Sequence, residues 1–358
     1  MNYYQKCRQL ATIAALIVVA CFPSASHTEK PDDPIMDIIH INVGQGDATL
    51  ILGPVIDGKR ISVLIDAGDI PMGGDPDGGE ITSRTLAGYG VKSLTYFVAT
   101  HYDSDHIGGV VMGRSHIHGT SFLAGSTGQI DVKTFLDRGV QDTPSSKTYI
   151  LYRAIADAMG TRISLDSQET VDDFALDLGN GAFMLCLASN GFVRGMDAQV
   201  PLVDTENERS MTFVVRYGGF DYLIGGDTIG RVHGRENAKV EAAVAVALKE
   251  NNIEIDVYKV NHHGANNASS SALLEMAKPE VAIISVGSRN RHGHPHVQAL
   301  LRLKAAGVLQ IYQTELGASR AIPPPTIVEM RTVMNGDILL RTNGRQYQIG
   351  ATTRCVDN

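Results

Sequence analysis

The chain contains no tryptophan and only four cysteines among its 358 residues. Cys7 and Cys21 belong to the N-terminal segment, so Cys186 and Cys355 are the pair left for the folded protein. Cys186 lies in the apolar run Phe183–Ala188, where a cysteine behaves as a small hydrophobic residue. Sequence distance alone does not bring two cysteines together. We therefore expect neither a disulfide nor a thiolate metal site.

Long apolar runs are also missing, except at the N-terminus. Leu10–Ala20 is apolar and follows the basic residues Lys6 and Arg8. A run of this length is too short to span a bilayer comfortably but is typical of a signal-peptide core, which disfavours an uncleaved anchor. We predict that residues 1–26 are a targeting signal and that 27–34 are a short linker.

Two export routes fit this segment. The small residues of Pro23–Ser26 offer a cleavage site for a signal peptide, whereas Val18–Cys21 resembles a bacterial lipobox in which Cys21 is lipidated. Both routes place the mature protein outside the cytoplasm, either periplasmic or secreted. In the second route, a lipid on Cys21 is the expected contact with a membrane.

An excess of basic residues is lacking as well. The net charge of the precursor is −8, and removing residues 1–26 takes away only Lys6 and Arg8, which brings it to −10. This balance argues against strong, non-specific binding of nucleic acid. A phosphate substrate would instead have to meet local cations such as Arg289, Arg291 and Lys259. Each of these, taken singly, is more typical of a solvated surface charge.

The densest group of polar residues is His101-Tyr-Asp103-Ser-Asp105-His106, which places four candidate metal ligands within six residues. It follows the apolar, β-prone run Leu94–Thr100, so the four side chains come directly after a buried strand. Imidazoles and carboxylates at this spacing can hold two divalent cations a few ångströms apart. The alternative, a solvated acidic loop, is disfavoured by the position after a core strand.

Three later segments repeat this arrangement of a strand followed by polar residues. Asp221–Asp227 ends in two glycines and a carboxylate, Val257–Gly264 contains His262 and His263, and Arg291–His296 contains three histidines. Enzymes of the α/β class place ligands on loops beyond strand ends in this way. No Gly-x-Ser-x-Gly turn or serine triad indicates a covalent nucleophile.

With these motifs in hand, the chain resembles the metallo-β-lactamase superfamily and, within it, the hydrolase domain of ComEC-type DNA-uptake proteins. The motifs that carry the resemblance occur in the family's order and are His40–Thr49, Leu64–Gly68, Thr100–Gly109, Ile224–Asp227, Asn261–Gly264 and Ile284–Pro295. Asn42 replaces a usual Asp and His292 a usual Tyr. The stretch 110–181 has no counterpart and is expected over or beside the site.

The resemblance implies an αββα sandwich of two mixed sheets with flanking helices, which agrees with the α/β class indicated by the alternation of strands and helices. We assign residues 35–320 to this hydrolase domain. Pro-rich residues after Ala321 read as a linker, and the turn at Asn343-Gly344 predicts a β-hairpin tail, so that 321–358 form the C-terminal end.

The resemblance, together with donor chemistry, implies two divalent cations, zinc or manganese. The implied metal ligands are His101 and Asp103 for one cation, Asp105, His106 and His263 for the other, and Asp227 as a bridge. A carboxylate at Asp103 hardens the site and favours manganese or iron alongside zinc. The first cation lacks an obvious third ligand, and Asn207 or Ser210 is near where it should be.

Other residues receive supporting or catalytic roles. Asp66 is expected to orient a ligand histidine or brace a loop. Asp47 is expected to support the site, and His262 to be a neighbouring donor or a spare ligand. Asp105 and His294 are the candidate catalytic residues, with His294 contacting the substrate or protonating the leaving group. His292 and His296 are expected at the surface.

Three functions remain open. The first is an exported phosphodiesterase or nuclease that uses a metal-activated water on a small-molecule or nucleic-acid phosphodiester. The second is a hydrolase of a carbon-centred bond in a β-lactam, lactone or thioester. The third is an exported metal-binding module without turnover. Asp103 and the ComEC-like motifs favour the first.

Overall fold

A computed structural model describes residues 34–70, 77–111, 130–202, 205–231 and 239–356. The predicted signal at 1–26, with Cys21, lies outside these residues, as does most of the linker at 27–34. No helix in the described ranges is long and apolar enough to cross a membrane. Cys186 is buried and Cys355 is exposed, and no disulfide joins them.

The first mixed sheet has the strand order β18-β17-β16-β1-β2-β3-β4-β5-β6 in the described ranges. Its strands are β1 Met36–His40, β2 Thr49–Leu52, β3 Ser62–Ile65, β4 Ser93–Ala99, β5 Asp131–Asp137, β6 Thr161–Ser164, β16 Ile338–Thr342, β17 Gln346–Ile349 and β18 Thr352–Cys355. The pairs from β3 to β6 are parallel and the others are antiparallel.

The second mixed sheet has the order β15-β14-β13-β12-β11-β10-β8-β7, with β9 paired to β8. Its strands are β7 Ala175–Gly179, β8 Ala182–Ser189, β9 Phe192–Val193, β10 Thr212–Tyr217, β11 Phe220–Gly225, β12 Val257–Lys259, β13 Val281–Ile284, β14 Gln310–Gln313 and β15 Arg331–Val333. Here the pairs from β11 to β15 are parallel.

The helices cover the outer faces of the two sheets, except that Val171 of the helix Gln168–Asp173 enters the cluster between the sheets. They are α1 Gly78–Gly88, α2 Ser104–Val111, α3 Lys147–Met159, α4 Gln168–Asp173, α5 Val240–Glu250, α6 Ser271–Ala277, α7 Val297–Ala305 and α8 Pro325–Val328. Leu86 of α1 and Tyr152 of α3 pack on the first sheet, and Val244 of α5 and Leu300 of α7 on the second.

The central core lies between the sheets because the strands alternate. In β1, Met36 and Ile38 enter the cluster shared with Phe213 of the second sheet, whereas Ile39 enters the cluster beneath the helices. Two mixed sheets with helices outside form the αββα sandwich expected from the sequence, and the α/β fold class is confirmed.

Two parts of the chain extend these sheets. In the stretch 110–181, the described residues 130–181 supply β5 and β6 at one edge of the first sheet and β7 at one edge of the second. At the C-terminus, the predicted hairpin forms as β16 and β17 around Asn343-Gly344, and β16 pairs with β1 along its whole length. The hairpin is thus part of the first sheet.

Candidate metal centre

The candidate site forms where four strands end. Asp66 follows β3, His101 follows β4, Asp227 follows β11 and His263 follows β12. Since β3 and β4 are parallel, and β11 and β12 are parallel, each pair delivers its next residues to one edge of its sheet. The four side chains are almost completely buried.

His106, in the first turn of α2, is held by Asp66. Nδ1 of His106 lies 2.7 Å from Oδ2 of Asp66, and because a carboxylate only accepts, Nδ1 donates. The Nε2 atom is therefore left to face the site. Asp66 has a φ of 57°, a left-handed conformation that costs a non-glycine residue free energy and aims this carboxylate at the helix.

The same carboxylate anchors His101 through Thr100. The Thr100 hydroxyl donates to Asp66 Oδ2 at 2.7 Å, so its oxygen is available to accept from Nδ1 of His101 at 3.2 Å. Nε2 of His101 then also faces the site. Asp66 thus orients two histidines, which matches the supporting role predicted for it.

His263 is oriented by the main chain. Its Nδ1 lies 3.1 Å from the carbonyl oxygen of Ser285, which can only accept, so Nε2 again faces the site. His262 and His263 have φ values of 50° and 52° within the turn Asn261–Gly264. Two successive strained residues are typical of functional sites, where the surrounding structure must hold them in place.

Asp227 is fixed from the main-chain side. Its N–H donates to Oγ of Ser210 at 3.1 Å. A Cβ on the neighbouring Gly226 would lie 2.4 Å from Oγ1 of Thr100, so only glycine allows the end of β11 to approach the His101 loop this closely. The Asp227 carboxylate therefore enters the site between the two sheets.

The atoms that converge here have no well-aligned hydrogen bond, although Nε2 of His106 lies 3.2 Å from Asp227 and Nε2 of His263 lies 3.2 Å from Asp105. These buried atoms are Nε2 of His101, His106 and His263 and Oδ1 of Asp47 and Asp227. One ligand atom each from Asp47, His106, Asp227 and His263 lies within 4.8 Å of the others. Buried polar atoms are normally paired, so several unpaired imidazole nitrogens and carboxylate oxygens aimed at one point fit divalent cations.

The charges around this point also favour a cation. Burial opposes protonation of His263, but the carboxylates of Asp227 and Asp47 prevail and raise its pKa to about 9. Burial likewise opposes protonation of His106, and Asp227, Asp66 and Asp105 raise its pKa well above the usual value. In the metal-free protein these rings carry protons that a metal ion would displace.

Asp103 and Asp105 lie at the outer side of the group. Asp105 Oδ2 is 3.2 Å from Nε2 of His263, and its Oδ1 is 4.0 Å from Nε2 of His106. Asp103 Oδ2 is 3.5 Å from Nε2 of His101, but 44% of the Asp103 side chain is exposed. The six residues expected as metal ligands thus come together, His101 and Asp103 as a pair beside the buried group.

The two candidates for a third ligand of the first cation have other contacts. Ser210 accepts from the main chain of Asp227. The side-chain nitrogen of Asn207 lies 3.4 Å from both ring nitrogens of His262. His262 in turn has Nε2 3.5 Å from Oδ2 of Asp227, so it borders the centre on the Asp227 side.

A cavity of about 400 Å³ opens over the centre. Its lining includes Asp103, Asp105, Asp227, His262, His263, Arg289, Arg291, His292 and His294. Asn290 shapes one wall, because its side-chain oxygen accepts from the main-chain N–H groups of Gly293 and His294 at 2.8 Å. Burial and the neighbouring His263 and His262 lower the pKa of His294 to about 2, so this ring is neutral near pH 7.

Sequence reasoning missed two features of the site. Asp69 also lines the cavity, and burial together with the nearby Asp105 raises its pKa to about 6. The interpretation of Lys259 as surface charge is wrong, since its side chain is 1% exposed and its Nζ lies 2.8 Å from Oδ2 of Asp47. Asp69 follows the Ile-Asp-Ala-Gly motif directly, a position that could have signalled it.

The chain is similar to three curated proteins. It is 24% identical over 305 residues to ComE operon protein 3 of Bacillus subtilis, covering 79% of this chain and 34% of that protein. It is 26% identical over 293 residues to Recombination protein 2 of Haemophilus influenzae, covering 80% of this chain and 29% of that protein. Over 114 residues it is 29% identical to Competence protein ComA of Neisseria gonorrhoeae, covering 32% and 15%.

These homologues confirm the resemblance to ComEC-type proteins, and the chain spans about a third or less of the length of each. No protein-family model matches the chain. Similar solved structures include a metal-dependent hydrolase of the β-lactamase superfamily, at 14% identity with a TM-score of 0.43 over 81% of this chain and all of that one. Another is CmlA, a diiron β-hydroxylase from Streptomyces venezuelae, at 11% identity. Its TM-score is 0.42, and the match covers 87% of this chain and 55% of that one.

Proposed function

We propose that this protein is a metal-dependent phosphodiesterase that acts on a nucleic acid or a nucleotide outside the cytoplasm. The observation that carries the proposal is the convergence of unpaired Nε2 atoms and a buried carboxylate at the floor of a cavity whose rim bears Arg289 and Arg291. Such a floor suits cations, and such a rim suits a phosphate.

The residues divide the work between holding cations and holding substrate. Divalent cations at this floor would lower the pKa of a water molecule and neutralise charge on the phosphate oxygens. Asp66 and the Ser285 carbonyl keep His106 and His263 turned toward the floor. Arg289 and Arg291 are exposed on the cavity wall and would meet phosphate oxygens further out.

The oxygen-rich ligand set supports phosphoester chemistry and manganese. Asp103, Asp105 and Asp227 supply carboxylates, which are harder ligands than imidazole. A phosphodiester carries a negative charge that two cations can neutralise directly, whereas a β-lactam carbonyl carries none. We therefore infer that manganese supports higher activity than zinc.

His294 would contact the substrate in its neutral form. Its Nδ1 is buried and without a hydrogen-bond partner, and the ring borders the cavity. A pKa of about 2 leaves little protonated imidazole at neutral pH. Of the two roles predicted for His294, the low pKa favours hydrogen bonding to a substrate oxygen over donation of a stored proton.

The names of the relatives favour DNA as the substrate class. One is a ComE operon protein, one a recombination protein and one a competence protein. The chain spans about a third or less of the length of each relative, so DNA as the substrate of this protein is our proposal. The extracytoplasmic location and the lipid at Cys21 remain predictions from the N-terminal sequence.

The proposal is tested with metal-free protein reconstituted with Mn²⁺ or Zn²⁺. The substrates are bis-p-nitrophenyl phosphate, single-stranded DNA and a chromogenic β-lactam. We expect cleavage of the two phosphodiesters, faster with Mn²⁺. His294→Ala should slow it roughly a hundredfold, because a hydrogen bond to a substrate oxygen is lost, while the metal content stays normal. His292→Ala is the matched control, since the exposed His292 ring lies 5.5 Å from that of His294 and should matter less.

Cleavage of the β-lactam or a lactone, with no phosphodiester cleavage under any metal, would move the protein to carbon-centred hydrolysis. An equal loss of phosphodiester cleavage in His292→Ala and His294→Ala would show that His294 has no specific role in the reaction. Normal metal binding without cleavage of any substrate would instead support a metal-binding module without turnover.

A further inference from the structure

A buried ion pair lies directly behind the candidate metal centre. Lys259 is the last residue of β12 in the second sheet, and Asp47 comes just before β2 of the first sheet. Nζ of Lys259 is 2.8 Å from Oδ2 of Asp47, and the two side chains are 1% and 5% exposed. The pair therefore joins the two sheets at a point closed to solvent, where an unpaired charge would be costly.

The second oxygen of Asp47 lies beside the metal centre. Oδ1 has no hydrogen-bond partner and is 3.8 Å from Nδ1 of His263, the ring nitrogen that donates to the Ser285 carbonyl and not the Nε2 atom that faces the centre. Asp47 is also one of the four residues whose ligand atoms fall within 4.8 Å of one another. One oxygen is thus occupied by an ammonium group, and the other remains available to a cation.

Hydrogen bonds of the Asp47 main chain fix the position of this residue. The N–H of Asp47 donates to the carbonyl oxygen of Asp105 at 3.1 Å, and its carbonyl oxygen accepts from Gly68 N–H at 2.8 Å. A Cβ on the preceding Gly46 would lie 2.5 Å from the Asp105 carbonyl oxygen, so glycine is needed there. The main chain of Asp47 is therefore held directly against that of Asp105.

We propose that Asp47 is a further carboxylate of the metal centre and that Lys259 is the positioning residue that sets how much of its negative charge a cation meets. While the ammonium holds Oδ2, Asp47 presents one oxygen and a partly neutralised charge. Without the ammonium, the carboxylate is free to turn and its whole charge faces the cation. The pair thus sets the affinity of the centre for a divalent cation. This inference concerns metal binding and does not depend on which substrate is cleaved.

The test is a Mn²⁺ titration by calorimetry of wild type, Asp47→Asn, Lys259→Met and the double variant. Asp47→Asn should weaken binding roughly tenfold or more, because a carboxylate is lost and Lys259 becomes an unpaired positive charge beside the cation. Lys259→Met should tighten binding by a similar factor. Additive effects would cancel and leave the double variant with the wild-type affinity. Because Lys259 acts through the Asp47 carboxylate, the double variant should instead bind Mn²⁺ more weakly than wild type but more tightly than Asp47→Asn, and this departure from additivity measures the coupling.

Thermal unfolding with and without EDTA supplies a second readout. In Lys259→Met, the metal-induced rise in Tm should exceed that of wild type, because the cation replaces the lost charge. The matched control is the ion pair between Arg216 and Asp221, at 2.6 Å near the start of β11 and the opposite end from Asp227. Arg216→Met should lower Tm without changing Mn²⁺ affinity.

Equal Mn²⁺ affinities in wild type, Asp47→Asn and Lys259→Met would overturn the inference, even if all variants unfold at lower temperature. Such a result would reduce the pair to a link between sheets. A Lys259→Met variant that binds Mn²⁺ more weakly than wild type would also overturn it, since the inference requires the ammonium to lower the affinity of the centre.

Discussion

The two halves of the candidate metal centre are built differently. In the inner half, Asp227, His106 and His263 are buried, and each donates a further hydrogen bond, to Ser210, Asp66 and Ser285 respectively. In the outer half, His101 is buried and anchored through Thr100, but Asp103 has 44% of its side chain exposed. The halves share one chain segment yet differ in how firmly their ligands are fixed.

This difference teaches how the two cations should differ in affinity. A preorganised set of ligands loses little conformational entropy when a cation binds, whereas an exposed carboxylate must be ordered first. Ser210 and Asn207, the candidates for a missing outer ligand, are engaged by Asp227 and His262. We therefore expect tight binding in the inner half and weaker binding in the outer half, where a substrate phosphate would help to complete the coordination.

The largest expected effect comes from Asp227→Ala, because this carboxylate lies between the two halves. Its Oδ1 is 3.2 Å from His106 Nε2 and 3.6 Å from His263 Nε2. We expect the variant to lose most of its metal, by more than the roughly tenfold to hundredfold that loss of a supporting contact causes. Elemental analysis after exposure to Mn²⁺ and desalting measures this loss.

Asp221→Asn serves as the control for that experiment, since Asp221 lies on the same strand and pairs with Arg216 away from the centre. Normal metal content is expected there. Full metal occupancy in Asp227→Ala would show that Asp227 is not a metal ligand. It would also show that the two halves of the centre are not linked through this carboxylate.

An intermediate effect is expected for Asp103→Asn, which changes the outer half alone. The inner cation should bind as in wild type, and the weaker of two binding events should lose roughly tenfold in affinity. A Mn²⁺ titration that resolves both events measures this, with Asp157→Asn as a control because Asp157 is similarly exposed on α3. A variant that loses both events equally would show that the halves do not bind independently.

The sequence was sufficient to predict the fold and to single out residues that gather at the candidate site, because both depend on short motifs. Strand-like runs followed by His101, Asp105, His106, Asp227 and His263 need only local patterns to be recognised. The αββα layers follow from the alternating burial of strand residues.

What the sequence left out depends on contacts between distant residues. Lys259 and Asp47 are 212 residues apart, and a lysine at a strand end is ordinarily solvated. Only the packing of the second sheet on the first buries the ammonium and gives it a partner. The same holds for β5, β6 and β7, which lie in a stretch without a family counterpart and are placed by pairing with strands elsewhere.

The smallest expected effect is a pH dependence that separates the metal-free protein from the metal-loaded one. Although burial lowers the pKa of His263, Asp227 and Asp47 raise it to about 9, above the unfolded value of 6.5. A group with a raised folded pKa stabilises the protein fully below its unfolded pKa, and this contribution is lost as pH rises through about 9. We expect the Tm of the metal-free protein to fall by a few degrees between pH 6.5 and 9.5.

With Mn²⁺ bound, the cation replaces these protons, so the fall in Tm should be smaller and binding should release protons to the buffer. Thermal unfolding across this range, with calorimetry in two buffers of different ionisation enthalpy, measures both. Identical pH profiles with and without Mn²⁺ would mean that the cation displaces no protons from His263 and His106, and would contradict binding at the inner half.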